Sequence, residues 1–111
     1  MQQKILRPVI DWVKTGKNLQ ILRNDNLKLR RYVCRELRTE SGDCEGDHCE
    51  NCKFEMDNNI SQLELAKIFN VTSSNVANWE TGRSRPQIED LIMYSKICEL
   101  DLFDVVVFEK A

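Results

Sequence analysis

Residues 60–86 read Ile60-Ser-Gln-Leu-Glu-Leu-Ala-Lys-Ile-Phe-Asn-Val-Thr-Ser-Ser-Asn-Val-Ala-Asn-Trp-Glu-Thr-Gly-Arg-Ser-Arg-Pro86, and this stretch predicts two short helices joined by a tight turn. Ser61 is placed to cap the first helix, and Glu64, three residues on, to reach back and close a capping box. Leu65, Ala66 and Phe69 then make one apolar stripe that ends at Asn70, a residue type that tolerates the left-handed conformation of a turn. Thr72 offers a second cap, Val76 and Trp79 lie three apart on one inward face, and Gly82 with Pro86 closes the second helix. Ser73, Ser74, Asn75 and Asn78 are left pointing outward.

That outward surface is short, polar and uncharged. It suits base edges in a major groove, where Asn pairs bidentately with adenine and Ser serves either sense of hydrogen bond. An ordinary solvated helix face carries the same residue types, and periodicity alone does not separate the two. Here the sequence resembles a known family: Ser61-Gln62-x-x-Leu65-Ala66, then Val71-Thr72, then Val76-x-x-Trp79-Glu80-x-Gly82-Arg83 and Pro86 is similar to the helix-turn-helix of the phage lambda repressor and Cro family, also called the XRE family. The likeness runs from about residue 28 to about residue 108, with one interruption.

The resemblance implies an all-α, five-helix domain that binds double-stranded DNA as a transcriptional regulator. It implies phosphate contacts at Gln62 and Thr72, base contacts at Ser73, Ser74 and Asn78 with Asn75 beside them, and sugar-phosphate contacts at Arg83 and Arg85. Arg38 stands at the family's Leu-Arg position, from which an arginine typically reaches the Glu after the core Trp, here Glu80. The sequence departs from the family in that three of the reading side chains are short, which shifts specificity toward water-mediated contacts and DNA shape. A single head of this size offers few contacts, so a homodimer on DNA is expected.

The 111 residues, 41% hydrophobic and 31% charged, fit one soluble domain. No run approaches the roughly 18 apolar residues of a membrane span, and the start Met-Gln-Gln-Lys-Ile-Leu-Arg-Pro lacks a secretory pattern, so a cytoplasmic protein is expected. The formal charge of -2 hides an asymmetry. Residues 1–38 hold ten Lys or Arg against three acids, residues 40–64 one against eight, and residues 65–111 five against seven. The basic first third favours phosphates, and the acidic middle has to be held away from them.

The expected organisation is an N-terminal helical extension over residues 1–26 and the helix-turn-helix domain over 27–111. In the extension, Ile5, Leu6, Val9, Ile10 and Val13 repeat at helical spacing, with Gly16 as a stop. The stripe docks either on the domain or on a partner chain. Residues 17–29 read in two ways: as a hairpin with Leu19 and Ile21 alternating against Leu27 and Leu29, or as a helix end followed by a new cap at Asn26. Leu29, Val33 and Leu37, four apart, then line the next helix. Past Gly82, the inner face of a further helix is drawn from Ile88, Leu91, Ile92, Ser95 and Cys98, and the Val105-to-Phe108 run is β-branched enough to end extended.

Residues 42–59 interrupt the resemblance with a cysteine-rich insertion, Gly42-Asp-Cys-Glu-Gly-Asp-His-Cys-Glu-Asn-Cys-Lys-Phe-Glu-Met-Asp-Asn-Asn59. Cys44, Cys49 and Cys52 stand at metal-ligand spacing in an acidic segment with too little apolar content to hold a shape by burial, so a structural zinc is expected. The fourth ligand is drawn from Cys34, favoured by its place on the preceding helix, or His48, Cys98 or a carboxylate such as Asp43. Five cysteines without a secretion signal argue against a disulfide framework, whereas a redox switch or an iron–sulfur cluster uses the same thiolates. A competing class is a protein-interaction module, an antitoxin or an adaptor on transcription machinery, with the helix pair as scaffold. Enzyme chemistry and a small-molecule substrate find no support: there is one His, and no phosphate-cradling Gly loop.

Overall fold

The computed structural model describes residues 9–38, the side chain of Arg38 excepted, and residues 59–109. Ile5, Leu6, His48 and the insertion cysteines Cys44, Cys49 and Cys52 lie outside the described residues. Within them, six helices follow one another: α1 Trp12–Asp25, α2 Leu27–Val33, α3 Gln62–Phe69, α4 Ser73–Thr81, α5 Ile88–Cys98 and α6 Leu102–Val105. The backbone of α2 continues as a π-helix over Cys34–Arg38. The sole extended pairing among the described residues is one antiparallel bridge, Ile10 to Phe108. The fold is all-α.

Local chemistry accounts for where α3 and α4 begin and end. The Ser61 hydroxyl accepts the Glu64 N–H at 3.0 Å and the Glu64 carboxylate accepts the Ser61 N–H at 3.1 Å, closing the capping box. Asn70 ends α3 at φ 55°, a conformation that its short polar side chain tolerates. Thr72 Oγ1 accepts the Asn75 N–H at 3.1 Å. Gly82, at φ 79°, ends α4, and the N–H groups of Gly82 and Arg83 return to the carbonyls of Trp79 and Asn78 at 3.2 and 2.9 Å. This Schellman closure satisfies the last carbonyls of α4 and aims the chain at Arg83.

The core gathers one stripe from every helix. Leu19 and Leu22 come from α1, Leu29 and Val33 from α2, Leu65, Ala66 and Phe69 from α3, Val76 and Trp79 from α4, and Leu91, Tyr94 and Cys98 from α5. The Phe69 ring lies 4.6 Å from Tyr94 and 6.0 Å, edge-on, from Trp79, so it joins α3, α4 and α5 at one point. On α5 the inner face is Leu91, Tyr94 and Cys98, whereas Ile88 and Ile92 are exposed. Leu91, Tyr94 and Cys98, spaced three and four, make one buried line of the helix, and Ile92, two residues from Tyr94, faces away from it.

Two expectations for the first third are corrected. The helix begins at Trp12, capped by Asp11, and runs through Gly16, which is not a stop. The hairpin reading fails as well: Leu19 is 0% and Ile21 51% exposed, and Leu19 with Leu22 forms a helical stripe. The alternative holds, since the Asn26 side chain accepts the Leu29 N–H at 2.9 Å and caps α2. The chain after α6 is extended, as its β-branched residues suggest. It lies along the start of α1, where Asp11 N–H meets the Val107 carbonyl at 2.8 Å, Glu109 N–H meets that of Val9 at 2.7 Å, and the Val107 N–H donates to the buried Thr15 hydroxyl at 2.9 Å.

Gly16 sits inside α1 because α4 comes too near for any side chain. A Cβ built there would meet the Trp79 carbonyl oxygen at 2.3 Å and that of Glu80 at 2.7 Å, backbone atoms that cannot swing aside. Gly16→Ala is therefore expected to destabilise the fold by at least about 2 kcal/mol in denaturant unfolding. Substitution of the exposed neighbour Lys17 by Ala should stay within about 0.5 kcal/mol of wild type; equal effects at both positions would contradict the close approach.

Candidate nucleic-acid interface

The last turn of α4 turns a carboxylate inward. Glu80 Oε2 accepts from Arg23 Nε at 2.8 Å and Oε1 from Arg23 Nη2 at 3.0 Å, with the two side chains 3% and 11% exposed. This is the fork-to-fork pairing that the planar guanidinium favours. Arg23 Nη1 donates to the Ile60 carbonyl at 2.7 Å and Gln62 Nε2 to Glu80 Oε1 at 3.0 Å. One charge pair therefore ties together α1, α4 and the entry to α3. The expected partner was Arg38, whose side chain lies outside the described residues; the partner found is Arg23. The contact at Gly16 sets α1 against Glu80, and Arg23, two helical turns further on, then falls on the carboxylate.

Held in this way, α4 presents its opposite side outward. Ser74 and Asn75 are exposed and Ser73 and Asn78 half-buried, and their side chains form no hydrogen bond among the described residues. Thr72 is exposed while its hydroxyl caps α4. Arg83 and Arg85 are both exposed beyond Gly82. The Arg85 guanidinium lies 5.5 Å from the centre of the Trp12 ring, a cation–π contact that holds the arginine loop to the start of α1. Gln62, expected at a phosphate, is half-buried and uses its amide nitrogen on Glu80. The sequence reading missed Arg23 and Trp12. Their signal was a cation one residue past the Leu19–Leu22 stripe and an aromatic at the first turn of the same helix, visible only once residues 12–25 are read as one helix.

Of the expected metal ligands, Cys34 is buried in the core and Cys44, Cys49 and Cys52 lie outside the described residues. Burial pushes the Cys98 thiol up to about 12, and the side chain packs in the core. Among the described residues, no group of three His, Cys, Asp or Glu is arranged to hold an ion, and no helix is long and apolar enough to cross a membrane.

Residues 55–105 match the model of a family described as helix-turn-helix. This segment is an XRE-like helix-turn-helix domain, the class to which DNA-binding transcription regulators belong. Neither a curated protein nor a solved structure matches the chain. The match takes in α3 to α6 and leaves out α1 and α2, although these supply Arg23 and a share of the core.

Removing either partner of a buried ion pair leaves the other charge uncompensated, at a cost of about 3–5 kcal/mol. Glu80→Ala and Arg23→Ala are each expected to destabilise by that order in thermal or denaturant unfolding, and the double variant by clearly less than the sum of the two. Additive effects, or melting temperatures equal to wild type, would show that the two side chains do not act as a pair.

Proposed function

We propose that the chain is a sequence-specific, double-stranded-DNA-binding transcriptional regulator whose α4 enters the major groove. The observation that carries this reading is the outer face of α4. Ser73, Ser74, Asn75 and Asn78 are polar, uncharged and uncommitted, on a helix whose opposite side is locked by a buried ion pair. Rigid presentation matters, because a base contact is made only by donors and acceptors already in register. In this reading Asn78 and the serines meet base edges. Thr72, Arg83 and Arg85 meet the sugar-phosphate backbone, and Gln62 does so with the second N–H of the amide whose first is on Glu80. Two such heads, one per protomer and about one helical turn of DNA apart, bring the contacts to the number that specific regulators need.

The insertion completes the proposal. One structural zinc is held by Cys44, Cys49 and Cys52 with Cys34 as fourth ligand, supported by the spacing of the cysteines and the position of Cys34 on the helix that leads into the insertion. Its role is to keep the acidic segment together and off the DNA. Zinc replaces the proton on each thiol, so burial of Cys34 in apolar surroundings is compatible with ligation only while the metal is bound.

Two measurements test these statements. Asn78→Ala is expected to cost about 1–3 kcal/mol at a specific site and to leave non-specific binding nearly intact; equal loss on both kinds of DNA would assign Asn78 to the backbone. Native mass spectrometry of protein purified under reducing conditions without chelator should show one zinc per chain, lost in Ser variants of Cys44, Cys49, Cys52 and Cys34 and kept in the Cys98 variant. A metal-free wild type would remove the zinc, and retention in the Cys34 variant would move the fourth ligand elsewhere.

A further inference from the structure

The surface between α2 and α5 takes no part in the face just described. Lys28, near the start of α2, pairs at 3.2 Å with Glu99, just past the end of α5, so the two helices run antiparallel, and an open groove of about 690 Å³ lies along them. Its floor is apolar: Tyr32, Ile92, Met93 and Ile97. Tyr32 is 39% and Ile92 41% exposed, and their clustering in one groove separates them from the scattered surface hydrophobics that need no explanation.

The rim has a sign. Four Lys or Arg line the groove against two carboxylates, and the Lys28–Glu99 pair cancels one of each. Arg35 and Lys96 form no ion pair among the described residues. Arg35 stands on the π-helical continuation of α2, a backbone form that recurs at functional sites.

We propose that this groove is the docking site of an acidic amphipathic helix from a partner protein. An apolar floor between two helices accepts large aliphatic side chains spaced three and four apart on the incoming helix, while Asp or Glu on its flanks meet Arg35 and Lys96. Charge complementarity of this kind selects the partner and accelerates its arrival. A small ligand fits less well, since sites for such molecules enclose most of the ligand surface and this floor is open along one side. The groove draws on α2, its π-helical continuation, α5 and Glu99, and on neither α3 nor α4. Partner and DNA can therefore be held at once, and the proposal does not depend on the DNA reading.

The test is selection on the full chain from a displayed library of amphipathic helical peptides, apolar on one stripe and drawn freely from Asp, Glu, Lys and Gln elsewhere. The selected peptides are expected to be rich in Asp and Glu. One of them, made synthetically, should lose at least about tenfold in affinity for the Arg35→Ala/Lys96→Ala variant and for Ile92→Asp. Both variants change exposed side chains and should melt and bind DNA as wild type does. Enrichment of lysine-rich peptides, no enrichment at all, or undiminished binding to Ile92→Asp would overturn the proposal. So would self-association of the wild type that Ile92→Asp abolishes, which would give the groove to a second copy. Failure of wild type to bind DNA would bear on the regulator reading alone.

Discussion

A carboxylate on the last turn of α4 is the constraint around which the domain is assembled. Glu80 is buried, and an ionised carboxylate out of water persists only where opposite charge and hydrogen bonds replace the solvent it has lost. Arg23 gives two hydrogen bonds and Gln62 a third. The planar fork fixes angle as well as distance, so α4 cannot rotate about its axis without breaking the pair. Gly16 is the steric counterpart, since only a residue without Cβ lets α1 come near enough for Arg23 to reach. The Ile60 carbonyl, held by the same guanidinium, places Ser61 where it caps α3. The start of one helix and the rotation of the next are thereby set by one side chain of a third.

The orientation of the outer face follows. With Glu80, Trp79 and Val76 turned inward, helical geometry leaves Ser74, Asn75 and Asn78 on the other side. The Schellman closure at Gly82 then delivers Arg83 and Arg85 just past the end of the same helix. Arg85 is steadied by Trp12, so α1 supports α4 and the arginine loop at two separate points, Arg23 and Trp12. Charge follows the same division. The basic first third of the sequence holds both supporting residues, and the acidic excess lies in residues 40–64.

Much of this was legible where a signal is local. The Ser61–Glu64 box, the Thr72 cap, the left-handed Asn70 and Gly82 and the Asn26 cap each depend on residues within four positions of one another, and each is where the sequence places it. What escaped depends on contacts distant in sequence. Gly16 carries the mark of a helix stop, and only the backbone of α4 shows why it lies mid-helix. Arg23 is one of ten cations in the first third, and nothing local distinguishes it from the rest. Tyr94 is absent from the α5 stripe read from the sequence, which takes Ile88 and Ile92 instead. It is fully buried, its hydroxyl finds no partner among the described residues, and its ring packs against Phe69. The candidate reading face was legible through its outward residue types and the family resemblance; its support by α1 was not.

Whether the outer face of α4 and the arginine loop meet a DNA backbone is tested most directly by the salt dependence of binding to a duplex from the chain's own upstream region. The account predicts that the logarithm of the binding constant falls linearly with the logarithm of salt concentration, with a slope of roughly -0.9 per phosphate contacted. It predicts that Arg83→Ala and Arg85→Ala each make that slope shallower by about one unit. Binding that is independent of salt, or a slope that neither substitution changes, would contradict it.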